Sequence, residues 1–168
     1  PAHETPKGPA IFRLHDHNRR LFQSAKIYHI EIPYTLDEIN AACREIVKVN
    51  GLSKAYLRPI VFRGYGGVGI AADTPIDVAI AAMEFGRYLG EDGMENGIDA
   101  CVSSWQRVAP NTLPAAAKAG GNYLSGQLVT REARRHGYGE GIALASTGLL
   151  SEGAGENLFL VFDGALHT

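Results

Sequence analysis

The run Ala115-Ala116-Ala117-Lys118-Ala119-Gly120-Gly121-Asn122-Tyr123 sets one lysine among small residues that let the backbone lie close to something flat. Burial disfavours a charged ammonium, and an uncharged amine is a nucleophile towards an aldehyde, so a lysine in partly apolar surroundings suits Schiff-base chemistry. Alanine- and glycine-flanked lysines also stand at ordinary helix ends, and composition alone does not separate the two. Tyr56 and Arg58 form a second candidate. They lie two apart on a strand-like stretch and so share a face, where a guanidinium beside a phenol can clamp a carboxylate. The same pair also fits the wet side of an amphipathic strand. Arg19 and Arg20 are adjacent cations on a helical pattern, and each alone reads as a surface charge.

Other chemistries find little support. His15 and His17 point to different faces of a helix, which argues against a shared metal. No Ser/His/Asp arrangement, P-loop or nucleic-acid module can be assembled. Gly64-Tyr65-Gly66-Gly67-Val68-Gly69 satisfies G-x-G-x-x-G, but a dinucleotide site requires a helix to open directly after it. Asp73-Thr74-Pro75 and then a strand follow instead, so the stretch reads as a glycine loop between antiparallel strands. Sixteen basic and eighteen acidic residues give no polyanion-binding bias. The two cysteines, Cys43 and Cys101, lack metal spacing and fit a reducing, cytoplasmic setting. No apolar run approaches a membrane span, and the N-terminus is not a signal peptide.

These residues must be carried by alternating helices and strands. Residues 1–10, with three prolines and a glycine, read as a loop, and Ile11 to Leu14 as a short strand. A helix runs from Asp16 through Leu21, Ala25 and Tyr28. Thr35-Leu36-Asp37-Glu38 is a capping box opening a helix over 36–49, with Ile39, Ala42, Ile46 and Val49 as its apolar face. Strands are predicted over Lys54 to Arg63 and Ile76 to Met83. Gly86 to Gly97 marks a boundary, with a small lobe over 1–90, a linker over 91–97 and a second lobe over 98–168. That lobe should hold a strand over 97–104, a helix over 122–136 with Leu124, Leu128 and Ala133 inward, and a strand over 141–145. Arg131, Arg134, Arg135 and His136 crowd the helix's C-terminal end, where the dipole favours cations. Phe159 to Phe162, Asp163-Gly164 and Ala165 to Thr168 read as a strand, a hairpin turn and a second strand. Pro1 at the start and the short last strand suggest an internal piece of a longer protein.

Three motifs occur in order: Ala55-Tyr56-Leu57-Arg58-Pro59, then Ala116-Ala117-Lys118-Ala119-Gly120-Gly121-Asn122-Tyr123, then Ser151-Glu152-Gly153-Ala154-Gly155-Glu156-Asn157-Leu158-Phe159. Together they closely resemble the class IV, fold-type IV pyridoxal-phosphate aminotransferases, and within them the branched-chain amino acid enzymes. The resemblance implies a two-lobed α/β fold of the α+β type, with largely antiparallel sheets. It implies transamination of leucine, isoleucine or valine with 2-oxoglutarate, with pyridoxal 5′-phosphate held by Lys118 as a Schiff base. Lys118 would also move the substrate's Cα proton. Glu152 would accept a hydrogen bond from the pyridine nitrogen, Tyr123 would bond the phenolic oxygen, and Arg20, preceding Leu21, would bind the phosphate. Tyr56 would meet the α-carboxylate and Arg58 the side-chain carboxylate of glutamate, with Phe85, Val68 and Ile70 at apolar pocket positions.

In related enzymes the loop carrying Val68 and Ile70 reaches the partner subunit's site, so a homodimer or higher homo-oligomer is implied. Other members of the fold type catalyse D-amino acid transamination, amine transamination or aminodeoxychorismate lysis; Tyr56-Leu57-Arg58-Pro59 favours the branched-chain reading. Phe85 stands where a tryptophan is frequent, and Ala145 where an aspartate is common. The family's segment before Pro1 and its phosphate-binding loops beyond Thr168 are not in this chain. An isolated chain of this length is therefore expected to bind cofactor weakly or not at all and to be inactive.

Overall fold

A computed structural model describes residues 1–86 and 90–168. The chain divides into two compact units, Pro1–Gly90 and Glu91–Thr168.

The first unit sets two helices, α1 (Leu14–Ile27) and α2 (Leu36–Val49), on an antiparallel sheet. The strands are β1 (Ala2–His3), β2 (Ala10–Ile11), β3 (Ala55–Arg63) and β4 (Ile76–Glu84), in the order β2-β1-β3-β4. β3 and β4 pair without a break from Ala55↔Glu84 to Arg63↔Ile76, so the glycine-rich segment between them is a hairpin loop. β1 meets β3 only at Ala55, which leaves that side of β3 open beside Pro59, a residue that cannot donate to a ladder.

Three local readings change here. Residues 1–10 are not all loop, since Ala2 is buried against Val47 and Ala55 and β1 pairs with β2. Leu14 belongs to α1, not to a strand, because Arg13 takes a left-handed conformation (φ 47°) that turns the chain into the helix. The capping box of α2 forms, with the Glu38 N–H donating to Thr35 Oγ1 at 3.2 Å and the Thr35 N–H to Glu38 Oε2 at 2.7 Å. Its inward face is nevertheless rotated to Ile39, Asn40, Cys43 and Val47, leaving Ala42 and Val49 exposed. Asn40 can be buried because Asn18 of α1 donates to its side-chain oxygen at 2.8 Å.

In the second unit, α3 (Gly90–Asn96) makes much of the expected connecting stretch helical. β5 (Ala100–Gln106), a 3₁₀ turn (Gly120–Tyr123), α4 (Leu124–Arg135), β6 (Glu140–Leu144) and β7 (Leu150–Gly153) follow. The sheet order is β5-β6-β7, with β5 and β6 parallel and β6 and β7 antiparallel. A parallel pair needs a crossover, and α4 supplies it while packing on both strands. β8 (Leu160–Phe162) and β9 (Ala165–His167) form a separate hairpin. Its two loop residues, Asp163 (φ 49°) and Gly164 (φ 75°), both have the positive φ of the turn that matches strand twist.

The inward face of α4 is Gly126, Val129 and Ala133, whereas Leu124 and Leu128 are exposed. Small residues win these positions because neighbouring backbone comes so close. A Cβ on Gly126 would lie 2.1 Å from the Ala154 carbonyl oxygen. Val129 closes a core with Ala143 and Ala154. The helix ends at Gly137 (φ 85°), as its glycine signal indicates, with the Tyr138 N–H returning to the Ala133 carbonyl.

Candidate active site

Lys118 lies in the loop entering the 3₁₀ turn, and Asn122 fixes that loop from both sides. The Asn122 side-chain amide donates to the Ala117 carbonyl at 2.9 Å and to the Pro114 carbonyl at 3.3 Å, while the Asn122 backbone N–H reaches the Ala119 carbonyl. Ala117 is buried, so the residue before the lysine is an anchor. From this base Lys118 Nζ reaches the Tyr123 hydroxyl at 2.5 Å and lies 4.9 Å from the centre of its ring. The expected apolar enclosure is not built within this unit: Lys118, Gly120 and Gly121 are not buried. A Cβ on either glycine would meet nothing within 4 Å, so the backbone after the lysine is open.

Glu152 stands on β7 opposite Ala143 of β6. Its Oε1 is 2.6 Å from Nη2 of Arg107, a residue directly after β5 that no motif singles out. Register between β5 and β7, which brings positions 107 and 152 together, is not written in local sequence. Beyond Glu152 the glycine- and glutamate-rich motif folds into a tight turn. The Gly153 N–H donates to the Glu156 carbonyl at 2.9 Å and the Gly155 N–H to Glu156 Oε2 at 3.0 Å. A Cβ on Gly153 would come within 2.9 Å of that Glu156 carboxylate oxygen.

In the first unit Tyr56, Arg58 and Phe85 come together. Arg58 Nη2 donates to the Tyr56 hydroxyl at 3.3 Å and its guanidinium lies 5.1 Å from the Tyr56 ring centre. The Tyr56 and Phe85 rings are 5.2 Å apart. Val68 and Ile70, at the tip of the β3–β4 loop, are fully exposed and do not join this group. Arg20, on α1, lies 3.3 Å from Nδ1 of His17. Burial, and then the Arg20 charge, lowers the proton affinity of His17. A groove of about 640 Å³, lined by Ile11, Leu14, Val47 and Leu52, contains none of these residues. Among the described residues no cluster could hold a metal ion, and no helix is long and apolar enough to cross a membrane.

An amine on a phenol and a carboxylate, in one unit, form a donor set complementary to an aldehyde-bearing pyridine. The chain belongs to the family described as Amino-transferase class IV, whose model matches residues 6–168. The chain is 55% identical over 168 residues to the branched-chain-amino-acid aminotransferase of Escherichia coli (strain K12), covering 99% of this chain and 54% of that protein. A crystal structure of the E. coli branched-chain amino acid aminotransferase superposes with a TM-score of 0.91 at 54% identity, over 98% of this chain and 55% of that one. The T.th. branched-chain amino acid aminotransferase, solved with pyridoxamine 5′-phosphate, gives a TM-score of 0.92 at 42% identity, over 98% of this chain and 55% of that one. That enzyme has also been solved with N-(5′-phosphopyridoxyl)-L-glutamate and with 4-methylvaleric acid. The mixed α/β architecture with mostly antiparallel sheets is thus the fold-type IV fold, and the chain spans about half the length of the relatives it matches.

Proposed function

We propose that the protein carrying this chain transfers the amino group of leucine, isoleucine or valine to 2-oxoglutarate with pyridoxal 5′-phosphate, in the cytoplasm and as a homodimer or higher homo-oligomer. The observation that carries the reading is the Lys118 amine held on the Tyr123 hydroxyl, in the same unit as Glu152. When bound, the cofactor supplies the electron sink that stabilises a carbanion at the substrate Cα.

The residues then divide the work. Lys118 Nζ holds the cofactor covalently and, once released, takes the proton from the substrate Cα. The Tyr123 hydroxyl steadies that amine and offers a hydrogen bond to the cofactor's phenolic oxygen. Glu152 accepts a hydrogen bond from the ring N–H, and Arg20 binds the phosphate. On the substrate side the Tyr56 hydroxyl meets the α-carboxylate. Arg58 meets the second carboxylate of glutamate, and Phe85 bounds the aliphatic chain. One arginine at the edge of an apolar pocket lets a single site take both substrates in turn. The T.th. relative, with an acidic and a branched aliphatic ligand in separate crystals, supports that dual use. Val68 and Ile70, fully exposed on their loop, can enter a partner subunit's site. On this reading the first unit is part of the small lobe, 91–97 the interdomain connection and 98–168 the first part of the cofactor lobe.

Borohydride reduction of the full-length protein that carries this chain, in the presence of pyridoxal phosphate and followed by intact mass and peptide mapping, tests the reading. A single phosphopyridoxyl adduct on Lys118 and turnover of L-leucine in preference to D-alanine and 1-phenylethylamine are expected. Scattered adducts, or preference for either competing amine, would overturn it.

A further inference from the structure

We infer that Arg107 is a positioning residue that holds the Glu152 carboxylate as a hydrogen-bond acceptor for a protonated ring nitrogen. The inference rests on the function proposed above and concerns a residue outside the three motifs. Arg107 follows β5 on one side of β6, and Glu152 lies on β7 on the other. The Arg107 backbone N–H donates to the Leu144 carbonyl of β6 at 2.8 Å, so the root of the side chain is fixed to the central strand. From there the guanidinium spans β6 and meets Glu152 Oε1 at 2.6 Å.

Two details separate this pair from an ordinary surface ion pair, which contributes little and moves freely. The Arg107 side chain is only 20% exposed, while that of Glu152 is 36% exposed, so the cation is shielded and the carboxylate remains open on one side. The contact is also single. It takes Oε1, and among the described residues Oε2 has no hydrogen-bond or ion-pair partner. Arginine is permanently charged and its guanidinium is rigid, so the contact ties one carboxylate oxygen to a fixed point and restricts the group's rotation. The remaining oxygen is then aimed and can only accept. A ring N–H is the complementary donor.

The chemistry of the ring depends on whether its nitrogen faces a fixed hydrogen-bond acceptor. With the guanidinium in place the free carboxylate oxygen is held where a ring N–H can donate to it, and that hydrogen bond favours the protonated ring. Removing the guanidinium frees the carboxylate to turn away, so the ring N–H loses its acceptor and the neutral ring, a weaker electron sink, is favoured. Arg107 thus acts through Glu152 and has no direct contact with the ring in this scheme.

The test uses the protein loaded with pyridoxal phosphate labelled with ¹⁵N in the ring. The variants are R107M, R107K, E152Q and R107M/E152Q, read by the ring ¹⁵N chemical shift, by cofactor Kd and by the apo-protein's Tm. R107M is expected to move the nitrogen signal towards that of neutral pyridine, as E152Q does. It should weaken cofactor binding about tenfold, the low end of what losing an outer partner of a ligand-holding group costs at metal sites. R107K should recover part of the protonated signal, and the double variant should be no worse than E152Q alone. Should R107M fail to fold, R107Q carries the same expectation. A protonated signal and wild-type Kd in R107M, or losses that add in the double variant, would overturn the inference while leaving the function standing. Uptake of no pyridoxal phosphate by the full-length wild-type protein that carries this chain would overturn the function and the inference together.

Discussion

The amine of Lys118 and the hydroxyl of Tyr123, five residues apart, lie at 2.5 Å because the 3₁₀ turn Gly120–Tyr123 folds the tyrosine back over the loop that carries the lysine. Tyr123 is 41% exposed, so the hydroxyl can be removed without emptying a core. Y123F is therefore expected to fold as the wild type does. A hydrogen bond to a charged group contributes about 1.5–3 kcal/mol. Its loss should weaken pyridoxal phosphate capture at Lys118 about 10- to 100-fold. A cofactor titration of Y123F followed by borohydride trapping checks this, and unchanged affinity would make the hydroxyl a bystander.

The elements that carry the site are legible in the sequence because their signals are local. The capping box opening at Thr35, the end of α2 before Gly51 and the antiparallel pair flanking the glycine loop all read directly from the chain. The phase of the helices does not. Ile39 faces inward as its spacing predicts, but Ala42 and Val49 give way to Asn40, Cys43 and Val47, because a buried asparagine is acceptable only when a distant partner, Asn18, satisfies it. Likewise Leu124 and Leu128 lose the inward face of α4 to Gly126 and Val129, where an approaching backbone leaves no room for leucine. The grouping of Tyr56 with Arg58 follows from strand alternation, and Phe85 joins them through the β3–β4 pairing. Arg107 carries no local signal because its value lies entirely in a register across three strands.

Gly126 is the tightest point between α4 and the segment after Glu152. An added Cβ would sit 2.1 Å from the Ala154 carbonyl oxygen, a backbone atom that cannot swing aside. G126A should destabilise the protein by about 1–3 kcal/mol, the range for overpacking a close contact. G120A is the matched control, since its Cβ meets nothing within 4 Å. Urea unfolding should give a lower midpoint for G126A and a nearly unchanged one for G120A. Equal midpoints would mean that the helix and the 154 segment separate at little cost.

Glu132 joins α4 to β5 by accepting hydrogen bonds from the Ser103 hydroxyl, from the Ser104 N–H at 2.9 Å and from the Ser104 hydroxyl at 2.6 Å. The Ser103 hydroxyl, then that of Ser104, holds the carboxyl below its ordinary value of 4.5. The folded state therefore prefers the ionised form. Its contribution to stability is complete at pH values above the unfolded value of 4.5 and is lost as the pH falls through the lower folded value. E132Q keeps the shape of the side chain but removes its titration. Its Tm should fall below that of the wild type at neutral pH, and the gap should close on acidification below 4.5. Glu140, which burial shifts upward, is present in both proteins and cancels from the difference. A gap that stays constant from neutral pH to well below 4.5 would mean that the serine hydroxyls hold Glu132 by shape alone and not as a carboxylate.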